Sequence, residues 1–235
     1  MLTLHIGNKN YSSWSLRPWL ALREAGIAFE ERRLRLDFAP DSAFKRALAA
    51  VAPSGKVPVL VDDEERGADG RPLAVWDTLA IAEYLAEKVP DRGLWPAARG
   101  ERARARSLCA EMHAGFAALR THLPMNIEAS LPEVGERLLR ERADVRADVE
   151  RIAAMWCEQL GASRGPFLFG AAFGLVDAYF APVCTRFRTY GVGLPEPAAA
   201  YAARVLALPS MRQWEREAHA EADFLDFDEP YRSTR

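Results

Sequence analysis

NYSSWSLRPWL, residues 10–20, is the stretch whose reading decides the fold. A short apolar strand, Leu2 to Ile6, precedes it, and a helical pattern running to about Ala25 follows. Pro18 is tolerated only in the first helical turn, where backbone N–H groups have no intrahelical partner. The helix is therefore expected to start at Ser13 to Ser15 with a serine as N-cap. Free N–H groups and a positive dipole end, flanked by hydroxyls, make that turn a seat for an anion. On this stretch alone, a simple helix cap accounts for the serines equally well.

Outward from the turn the chain alternates strand and helix. Gly26 closes the first helix, and IAFEERRLRL (27–36) reads as a second strand. A helix over Ser42 to Val51 stops before Pro53. Val57, Val59, Leu60 and Val61 make a third strand, with Pro58 at its start. A proline there implies an edge, a bend or a cis peptide bond. Residues 62–72 (DDEERGADGRP) read as a long hairpin loop, Leu73 to Trp76 as the returning strand, and Asp77 to Lys88 as a helix. The order β-α-β-α-β-β-α describes a small α/β domain over 1–88. Residues 89–100, with two prolines and two glycines, have linker chemistry. Beyond them only helices are expected, over Glu101–Leu123, Val134–Leu160, Gly174–Tyr190, Glu196–Ala207 and Ser210–Ala222. Gly174–Tyr190 is apolar nearly all round, as a central buried helix is. Residues 101–235 thus form an all-α second domain.

The 235 residues are 49% hydrophobic and 27% charged, ordinary for a chain with a sizeable core. A net charge of −2 supplies no basic field for nucleic acid and no polybasic membrane patch. No run of apolar residues is long enough to span a bilayer, and the first residues read as a strand and not as a secretory signal. Three widely spaced cysteines, Cys109, Cys157 and Cys184, imply a reducing compartment, and four histidines show no ligand spacing. The reading is a cytoplasmic protein with no metal, nucleic-acid or membrane partner.

Three motifs in this order resemble the glutathione S-transferase family over the whole chain. SSWSLR (12–17) resembles the SSCxWR turn of the zeta-class enzymes, with Trp14 at the position of that class's cysteine. SGKVPVL (54–60) resembles the segment that carries the family's cis-proline, here Pro58. WDTLAIAEYL (76–85) resembles the family's ES-x-AIxEYL signature, with Asp77 and Thr78 in place of Glu and Ser. The resemblance implies a thioredoxin-like glutathione-binding domain, a helical substrate-binding domain, a serine-type enzyme nearest to zeta- or theta-like bacterial members, and a homodimer. Asp177 matches the family's structural aspartate.

The resemblance also implies the site. Glutathione must react as thiolate, and a free thiol titrates near ~8.5. Lowering that by roughly two units takes about 2.7 kcal/mol of anion stabilisation. One hydroxyl donating to the anion supplies about 1.5–3 kcal/mol, and the helix terminus up to ~1 kcal/mol, so no general base is needed. Ser12 is the expected donor, Ser13 its rival and Ser15 a cap. Asp77 is expected at the α-amino group of glutathione, Thr78 at the γ-glutamyl carboxylate, the backbone of Val57 beside Pro58 at the cysteinyl unit and Lys56 at the glycyl carboxylate. A small electrophile would sit between the domains against Tyr11, Trp14, Met112, His113 and Phe116. Core packing is the competing reading of Met112 and Phe116, and a satisfied polar residue that of His113. Conjugation is the expected activity. Glutathione-dependent isomerisation of the maleylacetoacetate type, peroxide reduction and a non-catalytic binding module are the alternatives.

Overall fold

All strands lie before Val89 in a computed structural model that describes residues 1–235: β1 (Leu2–Ile6), α1 (Ser13–Glu24), β2 (Phe29–Arg33), α2 (Ala43–Ala49), β3 (Val59–Arg66), β4 (Pro72–Trp76) and α3 (Thr78–Lys88). The sheet order is β2-β1-β3-β4; β1 runs parallel to β2 and antiparallel to β3, which is antiparallel to β4. The central position falls to the apolar β1, whose Leu2, Leu4 and Ile6 are buried, and the edge to the charged β2. This is a thioredoxin-like domain. The acidic run after Leu60 is not the loop its composition implies. β3 continues through it to Arg66, because buried Asp62 accepts hydrogen bonds from Tyr84 Oη at 2.5 Å and Lys88 Nζ at 2.7 Å.

The remainder is helical: α4 (Arg99–Ala114), α5 (Ala117–His122), α6 (Pro132–Glu141), α7 (Ala143–Ser163), α8 (Leu175–Thr189), α9 (Glu196–Ala207) and α10 (Pro209–Glu221). Two long helices expected from periodicity are each broken. Gly115 ends α4 with its Cα so close to the Glu111 carbonyl that a Cβ would meet the oxygen at 2.8 Å. Phe116 then reverses the chain at φ 55°, and the Arg120 guanidinium donates to the freed carbonyls of Met112 and Gly115. Between α6 and α7, Arg142 is extended (φ −113°, ψ 99°) and pairs with Asp144. α6 instead packs on the end of α8, where a Cβ on Gly135 would lie 1.9 Å from the Tyr190 oxygen.

α8 is the axis of this second domain, buried along almost its whole length. Asp177 holds its first turn. Its carboxylate accepts Gly174 N–H at 2.8 Å, Leu168 N–H at 3.1 Å and Tyr201 Oη–H at 3.0 Å, while burial pushes its pKa up to about 6. The structural reading of this aspartate therefore holds. Gly174 contributes no side-chain bond, and Asp177 reaching back replaces it.

The seam between the domains is polar and buried. α1 lies against α8, with Arg17 Nε donating to the Tyr179 carbonyl at 2.9 Å. On the other side of α1, Lys9 is buried between Trp19 and Trp214, 4.9 and 5.0 Å from their ring centres, and pairs with Glu31 and Glu217. Trp214 Nε1 donates to the Lys9 carbonyl at 2.9 Å, and Glu221 accepts the Lys9 N–H at 2.8 Å. No helix is long and apolar enough to cross a membrane.

Candidate functional site

The turn after β1 is built from its own hydroxyls. Ser15 Oγ accepts the Gly7 N–H at 3.1 Å and lies 2.7 Å from Ser12 Oγ. Ser12 occupies the N-cap position without capping the helix with its side chain. Ser15, expected as a cap, is fully buried and braces Ser12. With its lone pair taken by Gly7, Ser15 can donate to Ser12, which leaves the Ser12 hydroxyl proton free for a ligand. Ser13 Oγ accepts from Arg186 Nη2 at 3.2 Å, so its proton is also free. The Trp14 N–H, in the first turn of α1, has no backbone partner.

Two adjacent cavities open beside this turn and share Trp14, Lys56 and Val57. The first, about 370 Å³, is lined also by Ser54, Pro58, Trp76, Asp77, Thr78 and His113. The Val57–Pro58 bond is cis, and neither the N–H nor the carbonyl of Val57 has a backbone partner, so both are open to an extended peptide. Asp77 sits at φ 74°, a left-handed conformation rare outside glycine, and such outliers cluster at ligand sites. Its carboxylate accepts the Leu79 N–H at 2.8 Å and lies 3.4 Å from His113 Nε2. Thr78 opens α3 with a free N–H; its hydroxyl makes a long 3.3 Å bond to the Trp14 carbonyl. An anion at this terminus would meet the N–H first and the hydroxyl only after that bond yields.

The second cavity, about 380 Å³, holds Ser12 and Ser13 together with Tyr11, Arg120, Met125, Arg186 and Asp228. Tyr11 presents its ring, because its hydroxyl is donated to Glu229 at 2.6 Å; burial and that bond raise its pKa. Met112 and Phe116 line neither cavity and pack in the core. His113 lines the first cavity, not the second, edge-on to Trp14 at 5.3 Å. A larger hollow of about 700 Å³ lies between the end of α2 and the β3–β4 hairpin, with no serine-turn residue in its wall.

Sequence reasoning missed Arg120, Arg186 and Asp228 of the second cavity, and the burial of Arg17, which lines neither cavity. Arg17 and Arg186 are buried without a carboxylate partner, and burial lowers their pKa values to about 9 and about 10, so both stay charged at neutral pH. An arginine inside the apolar run of α8 was the available signal for Arg186. Asp228 comes from the C-terminal tail, for which no pattern existed; burial, then Glu229, raise its pKa to about 6.

The fold agrees with that of known proteins. Residues 11–88 match the family model described as glutathione S-transferase, N-terminal domain, and residues 101–217 the corresponding C-terminal domain model. A stringent starvation protein A homolog of Pasteurella multocida (strain Pm70) is 25% identical over 198 residues, 83% of this chain and 81% of that protein. A glutathione transferase homolog from Burkholderia gl BGR1, solved with bound glutathione, superposes with a TM-score of 0.66 at 24% identity, over 93% of this chain and 98% of the other. A glutathione transferase from Methylococcus capsulatus str. Bath gives 0.64 at 22% identity, over 94% and 100%.

Proposed function

The chain belongs to the glutathione S-transferase family, and from that premise we propose that it binds glutathione in the first cavity and conjugates its thiolate to a small electrophile held in the second. The observation that carries this reading is the convergence on one cavity of the unpaired Val57 backbone, Lys56, and the Asp77–Thr78 turn, with Trp14 of the serine turn in its wall. The cysteinyl unit would pair with Val57 as an added strand, its sulfur reaching Ser12 and Ser13. The Thr78 N–H would take the γ-glutamyl carboxylate, Asp77 the α-amino group and Lys56 the glycyl carboxylate.

Ser12 acts as hydrogen-bond donor, not as nucleophile. A donor already fed by Ser15, plus the Trp14 N–H at the helix terminus, covers the roughly 2.7 kcal/mol that two units of thiol acidity require. The thiolate then attacks the electrophilic carbon. A carbon–sulfur bond forms and the leaving group departs with its electron pair. We place the glutathione-binding half at 1–88, the linker at 89–100 and the electrophile-binding half at 101–235, working as a cytoplasmic homodimer.

Similarity to a stringent starvation protein A homolog favours a second reading, a binding module without turnover. Calorimetry with glutathione and conjugation of a panel of electrophiles separate the two. Binding with turnover supports transfer; binding without turnover supports the module; no binding at millimolar glutathione overturns transfer and leaves the module standing. Asp77→Ala should weaken glutathione by about 1–3 kcal/mol where its bond is buried, and Thr78→Ala, which keeps the N–H, by less.

A further inference from the structure

The second cavity carries a charge pattern that conjugation to a neutral electrophile does not need. Arg186 is 4% exposed on a helix buried along almost its whole length, and lines the cavity. Its guanidinium donates to two uncharged acceptors, the Leu123 carbonyl and Ser13 Oγ, and its Nε has no partner. Arg120 and Lys56 share the wall, and Arg120 likewise donates only to backbone carbonyls. Asp228 is the one carboxylate among the lining residues; it feels the charge of Arg186 but takes none of its hydrogen bonds. Burying a guanidinium costs several kcal/mol unless a counter-charge repays it, and neutral acceptors repay it only in part. The remaining wall is apolar: Leu36, Phe38, Phe44 and Met125, with the Tyr11 ring.

We propose that this cavity selects electrophiles with an apolar body and a carboxylate, and that Arg186 and Arg120 are its anion-binding residues. The inference rests on the conjugation reading above for the word electrophile; the preference for an anion rests on the cavity alone. Arg186 also braces Ser13, so an anion bound to it sits next to the turn at which sulfur is placed. Asp228 opposes the ligand's charge and sets how strongly the cavity attracts it.

Two probe pairs test this. Binding of 4-methylbenzoate and its neutral isostere 4-methylbenzamide is measured by calorimetry, with and without saturating glutathione. Turnover with glutathione is measured for 4-(chloromethyl)benzoate and 4-(chloromethyl)benzamide, where the thiolate bonds to the benzylic carbon and chloride leaves with its electron pair. The benzoate should bind at least ten-fold tighter than the amide and keep its affinity with glutathione present. Arg120→Met should remove most of that ten-fold preference, and Asp228→Asn should tighten the benzoate several-fold without changing the amide. Arg186→Met should abolish the preference; because it braces two neighbours it can fail to fold, and the other two variants then decide. Equal binding of benzoate and amide overturns the proposal, as does loss of the benzoate to glutathione competition, which would assign the arginines to the tripeptide. Selective benzoate binding with no turnover of either chloride supports the anion site and overturns transfer. Turnover of both chlorides at equal kcat/KM with equal binding does the reverse.

Discussion

Ser12→Ala isolates the hydroxyl on which thiolate stabilisation depends. In the intact turn Gly7 N–H, Ser15 Oγ and Ser12 Oγ form a chain of 3.1 and 2.7 Å contacts, and when Ser15 donates along it the Ser12 hydroxyl is the last donor. Removing that donor costs about 1.5–3 kcal/mol of preference for the anion. At 1.36 kcal/mol per unit, the pKa of bound glutathione should rise by about 1–2 units toward its free value. Affinity should change little, because the tripeptide's other contacts lie at Val57, Asp77 and Thr78. Ser13→Ala should shift the titration less. Ser15→Ala should shift it by an intermediate amount and also lower stability by about 1–3 kcal/mol, since it strands the buried Gly7 N–H. The thiolate's ultraviolet absorbance against pH reads all three variants. A shift in the Ser13 variant alone would move the donor to the hydroxyl backed by Arg186. No shift in any variant would leave the work to the Trp14 N–H and the helix terminus, and the hydroxyl account would be wrong.

Asp228 gives a pH signature: its folded pKa of about 6 lies above the ordinary 3.8, so the folded state holds the proton longer and stability falls as pH rises through that window. Asp228→Asn should therefore gain about 1–2 kcal/mol over the native chain at pH 8, after discounting for partial exposure, and little at pH 4; urea midpoints showing the same gain at both pH values would contradict this. Gly135→Ala should cost about 1–3 kcal/mol or more in urea unfolding, because its new methyl would meet the Tyr190 carbonyl oxygen at 1.9 Å and push α6 off α8; a native midpoint would show that α6 yields freely. Sedimentation should report a homodimer, and a single species at 26.2 kDa across micromolar concentrations would refute it.

The chain order of the sheet domain was legible because its punctuation is local: Pro58, Gly26 and the Asp77–Thr78 pair each act within a few residues. The run Gly174–Tyr190 announced its burial by composition, and α8 fills it. What failed was periodicity across breaks. The apolar stripe continues through Gly115 and Arg142, so only the close approach to Glu111 and the packing of α6 on Tyr190 show that the helices end there. Asp62 looked like loop chemistry because its partners, Tyr84 and Lys88, lie more than twenty residues away. The first cavity was readable for the same reason as the fold: its walls come from motif residues. The second was only half readable, through Tyr11, Ser12, Ser13 and Trp14. Arg120, Arg186 and Asp228 meet there from three distant segments, and nothing in their neighbours marks them.

The buried seam around Lys9 and Arg17 bears on how freely the two halves can be exchanged. Cut at the linker, the first half would expose two cations whose partners stay behind: Lys9 would lose Glu217 and the Trp214 ring, and Arg17 the Tyr179 carbonyl. The second half would keep Glu217, Glu221 and Arg186 facing solvent-filled gaps that another first half would fill only with matching hydrogen-bonding groups at the same positions. Recombining halves between relatives should thus succeed in step with the match at residues 9, 13 and 17 rather than with overall identity. The seam works as a lock, and the turn that carries the serines is also part of its key.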